Sequence, residues 1–304
     1  MSDSADLKLI IAYFEPDTEE QVALERAIEL ARKSKAKVLL AGFAHTDFSF
    51  VDDELAGSIE ENIQKQAMEA LKQQMANCLE SLGSNDCTIE SQCYWDPRPH
   101  KVIQSICESQ SVDLLIKASS HHSHFEGVFR TPLDWHLLRE VPCPVLMVTQ
   151  SKWLEGQKVL CALDVYSNDE EHNKLNRQII ERGEQFASLY NADSQWVSVC
   201  PPLPVLMNIE YTDIDPLAYQ ENQHKRTRLN AQPLLETYGA SEEKLIITDG
   251  ITESALAETA EEVNAGLMIL GTVSNTGIKG YFIGNTAEQV LHHTQCDVLA
   301  LKPV

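Results

Sequence analysis

Residues 8–12, Lys-Leu-Ile-Ile-Ala, and residues 158–162, Lys-Val-Leu-Cys-Ala, are one short apolar run met twice at a shift of 150. Each is uninterrupted and of strand length, the pattern of a strand buried on both faces. The segment after each run decides the fold. After LKLIIAYF (Leu7–Phe14) come Pro16 and Asp17, then apolar residues at helical spacing: Val22, Ala23, Ile28, Leu30 and Ala31. After KVLCALD (Lys158–Asp164) a polar turn leads into a helical pattern near Asp169–Tyr190. Strand, turn and helix, repeated, predict parallel strands joined by helical crossovers that need both sheet faces to pack on.

The first half continues with KVLLAGFA (Lys37–Ala44), an amphipathic stretch from Glu54 to about Leu82, TIESQCYW, and a helix start flanked by Pro97 and Pro99. DLLIKAS (Asp113–Ser119), a short helix from Pro132 and PVLMVTQ (Pro144–Gln150) complete it. The second half runs SQWVSVC, a helix near Pro216–Tyr238, KLIITDG, a helix near Thr252–Asn264, LMILGTV, a helix near Asn285–His293, and VLALKP. Leu114-Leu115-Ile116 lies over Leu267-Met268-Ile269 at a shift of 153. Duplication predicts an α/β fold of two tandem, doubly wound, five-stranded parallel sheets with strand order 3-2-1-4-5. The expected domains are residues 1–151 and 152–304, the junction falling near Ser151–Gly156. After its second strand the second copy alone carries PPLPVLMNIEYTDIDPLAY (Pro201–Tyr219), either a wall or lid on the sheet or an apolar rim for a ligand.

The 304 residues hold 24 Lys and Arg against 46 Asp and Glu, a net charge of −22 divided equally, −11 in residues 1–150 and −11 in 151–304. Such a surface repels phosphate backbones and anionic headgroups, so nucleic-acid and peripheral-membrane roles lose weight. No apolar stretch approaches the roughly 18 residues that span a bilayer, and MSDSADLKLI lacks a basic region followed by an apolar core. A cytoplasmic protein is expected. The eight cysteines are scattered without a C-x-x-C and are expected to be reduced, mostly buried thiols.

In an open parallel sheet, ligands gather beyond the carboxyl ends of the strands where the strand order reverses, between the first and fourth strands. In the second copy the residues there are Asp164 and GTVSNTGIKGYFIGNT (Gly271–Thr286). Glycine allows close backbone approach, and free N–H groups at a helix start favour phosphate. Asp164 could accept from a ribose hydroxyl or a base. The spacing of Gly271, Gly277 and Lys279 does not make a Walker loop, and no G-x-G-x-x-G follows either first strand.

Gly271-x-x-Ser274, nine residues, then Gly284-Asn285, together with Asp164 and the tandem layout, resembles the universal stress proteins, whose nucleotide-binding members carry G-x-x-G-(nine)-G-[ST]. TPLDWHLLR (Thr131–Arg139) and GNTAEQV (Gly284–Val290) look like stretches of a tandem member of that family. The resemblance covers essentially the whole chain and implies the adenine nucleotide alpha hydrolase-like fold. It also implies a base near Asp164 and near Val199 and Cys200, with phosphates on Gly271, Ser274, Gly284, Asn285 and Thr286. Ser274 and Asn285 depart from the family's Gly and Ser/Thr, a narrower approach for phosphate. The first copy has Phe14, Ala118, His121 and Thr131-Pro132 at the matching places and is not expected to bind ATP.

From these readings a non-catalytic stress-response protein is expected, binding ATP or another phosphate-bearing small molecule in its second domain. A binder of an amphiphilic acyl or sugar-nucleotide anion using residues 201–219, and a slow ATPase, are the alternatives. No catalytic residue is assigned: G-x-S-x-G and H-E-x-x-H are both lacking. No metal is expected, although His121, His122 and His124 crowd one loop and His45 ends the second strand. Arg130, Trp135, His136 and Arg139, with Lys117, could form an anion site in the first copy or be solvated bases around a half-buried Trp. In the family the last strands of two such domains meet, so the resemblance implies an intramolecular pseudo-dimer, with a homodimer also open.

Overall fold

The computed structural model describes residues 7–16, 18–46, 53–83, 86–119, 132–149, 152–153, 155–167, 169–200, 215–272, 289–291 and 293–303, apart from the side chains of 53–59 and 216. They divide into two compact units, one up to residue 119 and from 132 to 152, the other from Trp153 onward. In the first, β1 (Leu9–Phe14), β2 (Lys37–Ala44), β3 (Ile89–Trp95), β4 (Leu114–Ala118) and β5 (Val145–Val148) alternate with α1 (Val22–Ser34), α2 (Asp53–Ser81), α3 (Pro99–Ser109) and α4 (Pro132–Glu140). Its strands are parallel, in the order β3-β2-β1-β4-β5.

The second unit repeats the scheme with β6 (Lys158–Ala162), β7 (Ser194–Cys200), β8 (Leu245–Asp249), β9 (Ala265–Gly271) and β10 (Asp297–Leu301), and with α5 (Glu170–Tyr190), α6 (Pro216–Tyr238) and α7 (Thr252–Glu262). The order is β8-β7-β6-β9-β10, again parallel. The apolar runs at the centre are buried along their length: every residue of β4 and of β10, and Ile10 to Phe14 of β1.

Short-range chemistry sets the helix ends near the site. Asp169 Oδ1 accepts from the Glu171 N–H at 2.9 Å to start α5, and Asn191 ends it in the left-handed region at φ 51°. Asp215 Oδ1 accepts from the Leu217 N–H at 3.0 Å to start α6, Pro216 follows in the first turn, and Gly239 at φ 61° ends it. Helix α5 lies close on β6 because residue 183 is glycine: a Cβ there would sit 2.2 Å from Cys161 Sγ. That approach brings the side chains of α5 onto the carboxyl end of β6, where ligands are met in this class of fold. Among the described residues no helix is long and apolar enough to cross a membrane.

Candidate functional site

A cavity of about 420 Å³ opens at the carboxyl ends of β6 and β9, the point where the strand order reverses in the second unit. Its wall is mostly apolar, with Leu163, Val197, Leu256 and Leu270 among the contributors. Polar groups reach it from Asp164, His172, Asn176 and Ser198. No Lys or Arg lines it among the described residues.

Asp164, exposed at the rim, is held by its backbone. Asn176, buried in α5, donates from Nδ2 to the Asp164 carbonyl at 2.7 Å and accepts the Asp164 N–H on Oδ1 at 3.1 Å. The Asp164 carboxylate uses Oδ1 to accept from the N–H groups of Tyr166 and Ser167, at 2.9 and 3.4 Å. Oδ2 has no partner among the described residues and is available to a ligand hydroxyl or amine. His172 stands beside Asp169 at 3.0 Å. The Glu171 N–H, and after it His172, hold the Asp169 carboxyl below the usual carboxylate range.

Ser198 is the group that sequence reasoning passed over. It is 1% exposed, it lines the cavity, and its Oγ has no hydrogen-bond partner among the described residues. A buried hydroxyl left unpaired costs about 1–3 kcal/mol, and none of the described residues supplies its partner. The sequence carried a faint sign of it, a serine between two valines in the otherwise apolar end of SQWVSVC. Tyr166 was also missed. It lines the cavity, and its Oη bonds Cys200 Sγ at 3.1 Å and contacts Thr227 Oγ1. Burial, and then the bond to Cys200, push this phenol up to about 12, so it stays protonated at neutral pH.

Of the residues expected at the site, Asp164, Val199 and Gly271 line the cavity. Cys200 does not; its side chain is buried against α6, with Thr227 Oγ1 at 3.2 Å from the sulfur. Gly271 has a reason of its own to be glycine, since a Cβ there would meet Leu175 Cδ2 at 2.3 Å. Ser274, Gly284, Asn285 and Thr286 lie outside the described residues, as do His121, His122, His124, Arg130 and residues 201–214.

The corresponding point of the first unit is occupied by the chain itself. Lys117 of β4, 3% exposed, sends Nζ to Glu15 Oε1 at 2.7 Å, to Asp134 Oδ1 at 2.9 Å and to the Ala118 carbonyl at 3.0 Å. Glu15 and the Ala118 carbonyl accept hydrogen bonds from the ammonium, Asp134 Oδ1 pairs with it by charge, and the ammonium also stands 5.4 Å from the centre of the Tyr13 ring. The grouping of Lys117 with Arg130, Trp135, His136 and Arg139 as an anion site is therefore corrected: Lys117 is buried between carboxylates, and His136 Nδ1 lies 2.6 Å from Glu140 Oε1. Phe14, at the place matching Asp164, is buried at 3%. His45 packs edge-on to Trp95 at 5.8 Å.

Comparison with known proteins agrees with this architecture. The model of the universal stress protein family matches residues 8–149 and again 156–302. Universal stress protein E of Escherichia coli K12 is 32% identical over 298 residues, covering 97% of this chain and 93% of its own length. Universal stress protein E of Salmonella typhi is 31% identical over 299 residues, covering 97% and 94%. Among solved structures, a putative universal stress protein from Pseudomonas aeruginosa UCBPP-PA14 is 29% identical, with a TM-score of 0.74 over 99% of this chain and 94% of that one.

Proposed function

The chain belongs to the universal stress protein family, and we propose that it acts there as a non-catalytic, cytoplasmic binder of a nucleotide or similar phosphate-bearing small molecule, through its second unit alone. The observation that carries this reading is the buried Ser198 hydroxyl, without a hydrogen-bond partner among the described residues, on a cavity whose rim holds the Asp164 carboxylate. A cavity of about 420 Å³ lies within the ~300–1,000 Å³ of small-molecule sites. Apolar walls suit the faces of a heteroaromatic ring, Ser198 suits a polar atom on its edge, and Asp164 suits a sugar hydroxyl.

Among the described residues the wall has no Lys or Arg and carries a carboxylate, which favours the uncharged, hydroxylated part of the ligand. The phosphates of such a ligand belong beyond Gly271, on the stretch Ser274 to Thr286 that the resemblance assigns to them. The first unit takes no part, because Lys117, Glu15 and Asp134 already stand at its switch point, one ammonium against two carboxylates, and the residual negative charge disfavours phosphate. No nucleophile paired with a base faces the cavity among the described residues, which supports binding over turnover.

Calorimetric titration of the intact chain with ATP, AMP and adenosine tests the proposal. Saturable binding of one equivalent is expected, weakened about tenfold or more in Asp164→Ala, which loses a charged hydrogen bond. Binding that is absent for all three, or unchanged in Asp164→Ala, would sink it. Phosphate release from Mg-ATP at high protein concentration would replace binding with hydrolysis.

A further inference from the structure

Cys200 closes β7 and Asp249 closes β8, and the two are partners in the parallel ladder. Register partners on parallel strands project to the same face, so the thiol and the carboxylate emerge side by side, on strands roughly 4.8 Å apart. The crossover between these strands is α6, and it covers that face: Trp196, four residues before Cys200, meets Tyr238 of α6 edge-on at 6.2 Å, and Thr227 of α6 touches Cys200. His224, one turn before Thr227, is thereby carried over the strand ends. Its Nε2 lies 2.9 and 2.8 Å from Asp249 Oδ1 and Oδ2. The sulfur, an imidazole nitrogen and a carboxylate oxygen all fall within 4.8 Å of one another.

We propose that Cys200, His224 and Asp249 form a binding site for a divalent transition-metal cation, zinc above all. One thiolate, one imidazole and one carboxylate are the donor types of zinc; magnesium and calcium take oxygen ligands and have no use for the sulfur. With Zn–S near ~2.3 Å and Zn–N and Zn–O near ~2.0–2.2 Å, donor atoms on a tetrahedron stand roughly 3.4–3.6 Å apart. The nitrogen and oxygen, now 2.8–2.9 Å apart, must part by about half an ångström, and the sulfur stands within 4.8 Å of both. His224 and Asp249 have room for this, their side chains being 27% and 38% exposed. The same exposure admits a water as fourth ligand.

The surroundings are those of a supported ligand set. Gln220, one turn before His224 on α6, donates from Nε2 to Asp249 Oδ2 at 2.7 Å and orients the carboxylate. Two hydroxyls, Tyr166 Oη at 3.1 Å and Thr227 Oγ1 at 3.2 Å, converge on the sulfur of a side chain that is otherwise buried. Thr227 Oγ1 also donates to the Gln223 carbonyl at 2.9 Å, so towards Cys200 it can accept the thiol proton, and the two contacts hold the sulfur in place; the thiolate is the form that binds metal. Binding then replaces the thiol proton with the cation: the S–H bond breaks, the proton goes to solvent, and the sulfur lone pair forms the metal bond. His224 Nε2 releases to solvent the proton it holds towards Asp249 while Nδ1 takes one up, so the neutral imidazole offers the Nε2 lone pair; aspartate enters as the carboxylate, and no oxidant or reductant is needed. Tyr166 joins this site to the cavity, as it lines the cavity and its hydroxyl touches Cys200.

The test is titration of the reduced, metal-stripped intact chain with Co(II) under exclusion of oxygen, followed by Zn(II). One equivalent of cobalt should give a thiolate-to-metal charge-transfer band and visible bands of tetrahedral intensity, all removed by one equivalent of zinc. Cys200→Ser should abolish the charge-transfer band, and His224→Gln, at a partly exposed position that does not threaten folding, should weaken cobalt and zinc binding about tenfold or more. Lack of the charge-transfer band in the unaltered chain overturns the site. So does a band that survives in Cys200→Ser, which would mark another thiol, or one unchanged in His224→Gln, which would mark a thiol acting without the imidazole. Asp164→Ala alters the cavity but no metal ligand, so failure of nucleotide binding and failure of metal binding are distinguishable.

Discussion

Replacing Lys117 with methionine removes the cation that sits between Glu15 and Asp134 while keeping an unbranched side chain of similar length. Glu15 is 23% exposed and regains water, but Asp134 is fully buried and is left facing an apolar methyl group. Breaking a buried pair from one side costs about 3–5 kcal/mol, since the remaining charge keeps its desolvation cost without its partner. At roughly 1.4 kcal/mol per decade, that is a loss of about two to three and a half orders of magnitude in the opening equilibrium of the first unit. Hydrogen–deuterium exchange read by mass spectrometry resolves it, with peptides over β1 and β4 reporting the loss and peptides over β6 and β9 serving as internal reference.

The charge origin of that loss has its own check in pH. In Lys117→Met the buried Asp134 carboxyl is raised above its unfolded value, so the folded state holds a proton that the unfolded state has released. Stability from such a group is present at low pH and lost as pH rises, and the difference between variant and unaltered chain should shrink from about pH 7 to about pH 5. Lys117→Met combined with Asp134→Asn, which has no charge to strand, should recover at least about 1 kcal/mol of the single variant's loss. A single-variant cost below about 1 kcal/mol, or a larger one that is independent of pH and of Asp134→Asn, would refute the assignment of Lys117 as an internal counter-ion.

Gly271→Ala drives a methyl group into Leu175 and should cost about 1–3 kcal/mol by thermal denaturation, with much of it restored by adding Leu175→Ala; a neutral Gly271→Ala would show that the site yields more than the 2.3 Å approach allows. Ser198→Ala should leave the ligand-free chain as stable or more stable, because an unpaired buried hydroxyl is removed, yet weaken nucleotide binding about threefold to tenfold; changes of the same sign in both would mean that Ser198 is not turned to the ligand. Tyr166, held up to about 12 mainly by burial, lies above the ordinary value near 10. Its contribution to stability is therefore intact below about pH 10 and lost as pH rises towards 12. Tyr166→Phe should flatten that alkaline decline in a denaturant titration, and an unaltered slope would contradict it.

The strands and crossovers were legible because they are written locally. LIIAYF (Leu9–Phe14) and VLLAGFA (Val38–Ala44) are apolar without interruption, and Asp215, Pro216 and Gly239 bracket α6 within the sequence that forms it. Asp164 was legible for the same reason: it is the first polar residue after an apolar strand, and the end of that strand is where such sheets bind ligands. What stayed hidden depends on neighbours distant in sequence. Lys117 looked like one cation among several until the fold set Glu15 and Asp134 around it. Gly271 looked like a phosphate-approach glycine, although contact with Leu175 is enough to require it. Cys200, His224 and Asp249 are 24 and 25 residues apart, with no spacing that marks a metal set, and only the pairing of β7 with β8 under α6 brings them together.

The two units solve one problem in different ways, and the difference can be measured. A parallel sheet of this order leaves a crevice where the chain reverses, and each unit must fill it or keep it for a ligand. The first unit sets an ammonium and two carboxylates there, and on the proposed reading its stability should not change with a small molecule. The second keeps an apolar cavity with an unpaired hydroxyl, so it should gain RT ln(1 + [L]/Kd) when the ligand arrives, about 2.7 kcal/mol at a hundredfold excess over Kd. Exchange measured with and without ATP at that excess should therefore slow about a hundredfold in β6, β7 and β9, and remain as it was in β1, β2 and β4. Equal protection of both units would mean that the internal ion cluster does not exclude the ligand, and slower exchange in the first unit alone would assign the binding to the wrong copy.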